Sequence, residues 1–180
     1  MGLDDAVQGK IKSDMTLWER IKMYIPGYRG YKERNYRRDE DRAVRNELSR
    51  SIQGTKQDLS EIMRGLIGTP LMLDVERVRT KVDHLDIDVK KAVNGYSGFH
   101  EALKVEASDL DRIVHWDAKI FDSITEMRRC TEELLDAVDN GNATKAMIRA
   151  YERGVDDLLE AYQQREAVMK GIAEGATETE

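Results

Sequence analysis

Three histidines (His84, His100 and His115) and a single cysteine, Cys130, are the side chains in this 180-residue sequence best suited to metal or nucleophilic chemistry. A carboxylate-bridged di-iron site in a helical protein needs Glu-x-x-His on two helices, so that all ligands project from one side. The residues three before the histidines are Lys81, Ser97 and Arg112, so that spacing does not occur. Asp111 and His115 do stand at i, i+4, and Asp117 follows two residues later, which leaves Asp111, His115 and Asp117 as an alternative, weaker metal site. Asp117, like Thr131, occupies an expected apolar step of its seam, where an acid more simply meets a Lys or Arg from a facing helix, or the seam skips a turn. Cys130 lies beside Arg128 and Arg129, which would lower its thiol pKa, yet it has no histidine near it in sequence. Gly95-Tyr96-Ser97-Gly98 lacks the G-x-S-x-G spacing of a nucleophile elbow, and no Gly-Lys-Ser/Thr phosphate loop or Asp-rich calcium loop occurs. The acids Asp83, Asp86 and Asp88, and the pair Asp156 and Asp157, read as solvated faces. The expectation is a protein that is not an enzyme and carries no cofactor.

A second constellation is richer. Trp18 and four of the seven tyrosines (Tyr24, Tyr28, Tyr31 and Tyr36) fall among Arg20, Lys22, Arg29 and Lys32. Aromatic rings and cations on a short amphipathic helix suit an interfacial contact, with rings at headgroup depth and Lys or Arg on anionic groups. Residues 10–38 hold nine cations against three acids, a balance of +6. Residues 1–9 carry −2, so the formal total of −6 leaves −10 on residues 39–180. A basic head on an acidic body either meets an anionic partner or folds back onto its own body, and both readings stand. On the first, Trp18, Arg20, Lys22, Tyr24, Tyr28, Arg29, Tyr31 and Lys32 contact a partner protein or an anionic membrane surface. Nucleic acid is disfavoured, because the basic stripe is short and the body acidic.

The run Ile25-Pro26-Gly27-Tyr28-Arg29-Gly30-Tyr31-Lys32-Glu33, with Gly95-Tyr96-Ser97-Gly98-Phe99, Lys104-Val105 and Leu110-Asp111-Arg112, resembles a family of uncharacterised helical proteins from prokaryotes. The resemblance covers about residues 15–125 and rests on the two Gly-aromatic motifs. It implies a helical fold and supplies no mechanism. The second motif lies in a connection over residues 94–107, in which Tyr96 and Phe99 are expected to plug the end of a bundle.

The elements that carry these residues follow from apolar periodicity, which is helical nearly throughout. Leu71, Val75, Val78, Val82, Leu85, Val89 and Ala92 step by four and three without a slip, after a Gly68-Thr69-Pro70 stop, cap and start. A second seam runs from Leu110 to Val138 and a third from Ile148 to Ile172, joined by Asp139-Asn140-Gly141-Asn142, with Asn142 as the expected cap. A turn that short makes the two helices antiparallel. Upstream, Val44 to Leu66 keep phase across Gly54, predicting one helix over 31–67 whose charged start, Lys32 to Arg45, protrudes or frays. Thr16 and Glu19 form a capping box ahead of Leu17, Trp18, Ile21, Tyr24 and Ile25. The predicted architecture is all-α: an elongated antiparallel bundle with helices at 31–67, 70–93, 108–139 and 142–173. It divides into an amphipathic segment (1–30), the bundle (31–173) and a disordered acidic tail (174–180).

Composition sets the outer limits. With 40% hydrophobic and 36% charged residues and only 2 prolines, the chain is too apolar and too patterned for disorder. Its longest uncharged runs, 65–73 and 92–100, are nine residues each, far short of the ~18 needed to span a membrane. The opening MGLDDAVQGK has acids where a secretory signal needs bases, and one cysteine suits a reducing compartment. The expected location is the cytoplasm, free or peripheral to a membrane. Heptad seams on long helices often continue across a subunit boundary, so a homodimer is expected.

Overall fold

The four long helices take their directions from which residues meet across them. The computed structural model describes residues 16–33, 36–95 and 107–177, with backbone only for 92–95 and 173–177. Its helices are α1 (Leu17–Tyr24), α2 (Arg37–Gly65), α3 (Met72–Gly95), α4 (Ala107–Asp139) and α5 (Lys145–Thr177), with no strand among the described residues. The chain is all-α. Lys56 meets Asp83 and Asp86, so α2 and α3 run antiparallel. Arg128 reaches Ser51, and Gly65 lies against Val138, so α2 and α4 run parallel. Arg77 meets Glu152 and Lys81 meets Asp156, so α3 and α5 are parallel too. The bundle therefore goes round in the order α2, α3, α5, α4, with α1 laid on α4. Helices of 33 residues at about 1.5 Å per residue make a body roughly 50 Å long.

The core is the seams themselves. Leu48, Ile52, Leu59 and Ile62 of α2 close against Val75, Val78, Val82 and Leu85 of α3 and the inward stripes of α4 and α5, all buried. Gly54 is helical and faces open space, so α2 continues through it as the apolar phase requires. No helix among the described residues is long and apolar enough to cross a membrane.

Several boundaries differ from the sequence reading, each for a local reason. The helix predicted from residue 31 starts at Arg37, because Tyr31 is drawn into the core and Arg37 Nε donates to the Tyr31 carbonyl at 2.7 Å. The stretch expected to protrude does not: Arg37, Glu40, Asp41 and Arg45 are buried. Thr69 does not cap α3, since its hydroxyl donates back to the Leu66 carbonyl at 2.8 Å, and α3 begins at Met72. Gly141 takes φ +69° as the turn demands, but Thr144, not Asn142, caps α5 by accepting from the Met147 amide. α5 runs on to Thr177, so residues 174–177 belong to a helix and not to a tail. The Thr16–Glu19 capping box is present in both directions.

Candidate functional site

The two hairpin turns lie at one end of the bundle. The other end holds a polar cluster in its interior. Asp117 of α4 and Arg165 of α5 are both 0% exposed, and the guanidinium Nε donates to Asp117 Oδ1 at 2.5 Å. Each stands at a step of its seam where an apolar residue is expected, between Ile113 and Ile120 on α4 and between Leu158 and Met169 on α5. A buried charge is tolerated only when paired and fully hydrogen-bonded, and here both are. Arg165 Nη2 donates to Asp41 Oδ1 of α2 at 2.8 Å and to Tyr31 Oη at 2.9 Å; Nη1 reaches Met169 Sδ at 3.0 Å and Glu166 Oε1 at 3.3 Å. Asp117 Oδ2 accepts from the hydroxyls of Tyr28 at 2.9 Å and Tyr31 at 2.8 Å.

Arg45 extends the cluster toward the surface. Its Nε donates to both oxygens of Asp41 at 3.1 Å, Nη1 to Tyr162 Oη at 3.2 Å and Nη2 to Glu166 Oε1 at 2.8 Å. Burial pulls the Arg165 guanidinium toward neutrality, but Asp117, Tyr31 and Asp41 outweigh it and hold its proton well above the ordinary range. Burial raises Asp41, and Arg165 and Arg45 more than reverse it, so its carboxyl stays below the usual carboxylate range. Burial, joined by Asp117, pushes the Tyr28 and Tyr31 hydroxyls upward, so both remain donors at neutral pH. The cluster is a set of fixed charges and fixed donors satisfied by one another. What it can do is hold residues 28–31 in one place.

The basic aromatic segment is thus a strap on the body. Tyr28 and Tyr31, expected at a partner surface, are buried tethers, which corrects that assignment. Trp18 is half-buried, its ring 5.5 Å from that of Tyr28 and over Gly30. Gly30 has φ +73°, and a Cβ there would collide with the Trp18 ring, so the second glycine of the motif is required twice over. Tyr24 stacks on Phe121 with centroids 4.6 Å apart, and its hydroxyl bonds Thr125. Arg20 pairs with Asp122 on α4. Of the eight residues, Lys22, Arg29 and Lys32 face outward. The Arg29 guanidinium sits 4.8 Å above the Tyr36 ring, and its amide donates to Glu40 at 2.8 Å. Tyr96 and Phe99 lie outside the described residues.

The alternative metal residues do not converge. Asp111 and His115 are exposed on α4, whereas Asp117, two residues on from His115, faces the core with both oxygens taken. Cys130 is buried, and burial together with the Glu126 carboxylate raises its thiol pKa, the reverse of the lowering expected from Arg128 and Arg129; Arg128 reaches Ser51 instead, and Arg129 is held by Glu126 and Glu133. Asp86 is buried between Lys56, Lys90 and Gln53, so it is not part of a solvated face. An open groove of about 540 Å³, lined by Met63, Ile67, Met72, Arg64 and Arg79 among others, lies at the opposite end from the cluster.

Arg165 is the central residue that sequence reasoning passed over, and Asp41 and Arg45 were assigned to solvent. The signal was a pair of complementary interruptions, an acid standing in one apolar seam and a base standing in its neighbour. Compared with known proteins, the chain matches no family model, no curated protein and no solved structure.

Proposed function

We propose that this chain is a non-catalytic interaction protein, a rigid helical bundle that presents the outer edge of its strap to an acidic partner protein. One observation carries the reading. The strap is oriented by Tyr28 and Tyr31 on Asp117, so its rings face the body while Lys22, Arg29 and Lys32 face out beside Met23, which is 67% exposed. A cationic edge around one exposed apolar side chain suits an acidic protein surface, where charge supplies encounter rate and partner choice. Insertion into a membrane would draw on Trp18, Ile21 and Tyr24, and these pack against the core. Around the cluster, the buried titratable groups pair with each other, which supports an architectural and not a catalytic use.

A photoreactive residue placed at Met23 tests this, with Glu133 on α4 as an exposed control position. The expected result is a discrete adduct from Met23 alone that disappears in the Lys22→Glu/Lys32→Glu variant. Adducts of equal yield from both positions, or adducts indifferent to that charge reversal, reject the proposal. Flotation with anionic vesicles supplies the remaining arm: a full-length chain that floats in low salt and sinks in moderate salt binds lipid instead.

A further inference from the structure

α3 has two stripes on opposite sides. Val75, Val78, Val82, Leu85 and Val89 face the core. Leu73, Glu76, Thr80, His84, Ile87 and Lys91 are all exposed. At 3.6 residues per turn these six fall within a sector of roughly 80°, centred opposite the buried stripe. Leu73 is 75% exposed and Ile87 47%, the two ends of an i, i+14 spacing with Thr80 midway.

Most of the charges on the two flanks of this stripe are already matched within the chain. Toward α5, Asp74 pairs with Lys145, Arg77 with Glu152, and Lys81 with Glu152 and Asp156. Toward α2, Asp83 and Asp86 pair with Lys56. Glu76 and His84, on the stripe itself, have no side-chain partner among the described residues.

We propose that this face of α3 binds the same face of a second copy, as an antiparallel helix pair about a two-fold axis at Thr80. An isologous contact must complement itself, and this stripe does. In that arrangement Leu73 meets Ile87 of the second copy, Glu76 meets its His84, and the small Thr80 meets Thr80 where the backbones approach most closely. The residue types at the mirrored positions, apolar with apolar and carboxylate with imidazole, make the stripe its own complement. Residues 39–180 carry a formal −10, so contact between two bodies favours a face without net negative charge. Along this stripe the single acid, Glu76, is offset by Lys91. One helix pair is a small interface, so dissociation in the micromolar range is expected.

Sedimentation equilibrium of the full chain across the micromolar range tests the proposal. The expected mass rises from 20.6 kDa toward twice that value. Leu73→Lys and Ile87→Glu should each weaken association at least tenfold, and the double variant should restore it by pairing opposite charges across the axis. Positions 73 and 87 lie about 21 Å apart on one helix, so restoration cannot come from within a chain. Both sites are exposed, and circular dichroism checks that each variant folds. Thr80→Cys should cross-link to itself with a short bismaleimide, while the buried Cys130 stays unreacted. A chain that is monomeric at every concentration overturns the proposal, as does a double variant no tighter than the single ones. So does a dimer broken by Ile67→Glu but not by Leu73→Lys, or protection of Leu73 that appears only with added vesicles or a foreign protein.

Discussion

The Tyr31 hydroxyl donates to Asp117 Oδ2 at 2.8 Å and accepts from Arg165 Nη2 at 2.9 Å, closing a ring of three hydrogen-bonded side chains with the Arg165–Asp117 pair. One phenol from residue 31 is thereby locked between helices more than eighty residues away in sequence. Neighbouring hydrogen bonds in a dry interior polarise one another, so the strap and the ion pair are expected to be lost together.

Asp117→Asn should therefore be among the most damaging single changes in the protein. It leaves the fully buried Arg165 without its nearest counter-charge, a loss of about 3–5 kcal/mol. Urea unfolding followed by circular dichroism measures it. In a cycle of Asp117→Ala and Arg165→Ala the double variant should lose clearly less than the two single losses combined.

Tyr31→Phe removes a hydroxyl with two charged partners, and Tyr28→Phe one with a single charged partner. A hydrogen bond to a charged group contributes about 1.5–3 kcal/mol, so Tyr31→Phe should be the more severe. Trypsin cleavage after Arg29 and Lys32 should accelerate in both. A chain begun at Asp39 should show a lower thermal midpoint as well as any lost binding, because it leaves Asp117 Oδ2 without either hydroxyl.

Acid should weaken the bundle in two places at once. Glu152 is held down to about 2, first by its hydrogen bond from Arg77 and then, against some burial, by Lys81. Asp41 is also depressed, by Arg165 and Arg45 acting against burial. A depressed carboxylate contributes stability that is complete above its unfolded value, about 4, and disappears as pH falls through the folded value. Thermal midpoints should thus drop between about pH 4 and pH 2. Asp58 has the opposite sign: burial, Glu61 and Glu132 raise it, so Asp58→Asn should stabilise at pH 7 and lose that advantage below about pH 4. A midpoint for Asp58→Asn equal to wild type at pH 7 would contradict this.

Two glycines should respond in opposite directions. Gly54 is helical with open space around its Cα, so Gly54→Ala should stabilise by about 1 kcal/mol. Gly30→Ala forces a Cβ into the Trp18 ring at φ +73° and should destabilise by more than ~1 kcal/mol, with loss of the Trp18 fluorescence signature. Gly27→Ala, at φ +89° with nothing nearby, should fall between them.

Helix identity was legible because Val, Leu and Ile recur at steps of three and four, and the Thr16–Glu19 box marks its own terminus. Asp117 was legible as an anomaly, an acid where the seam of α4 wants an apolar residue. Its partner Arg165 carried the same mark, a charge at a seam step of α5 between Tyr162 and Met169, but the seam there was read by its apolar residues alone. That the two charges meet is decided by the packing of α4 on α5. Asp41 and Arg45 failed for another reason: within a run of charges, periodicity carries no contrast. The strap's inward orientation needed the pairing of Tyr28 and Tyr31 with a residue on another helix, which no local pattern encodes.

The buried quartet of Asp41, Arg45, Asp117 and Arg165 has a consequence for how the four long helices find their places. Leu, Ile and Val seams tolerate sliding by one helical turn, about 5.4 Å, since one aliphatic residue substitutes for another. Charges do not. A slipped pairing of the α2–α3 hairpin with the α4–α5 hairpin would bury a guanidinium against isoleucine, at several kcal/mol. The quartet is therefore the notch that sets the register of two otherwise slippery hairpins, and the strap can latch only when that register is right.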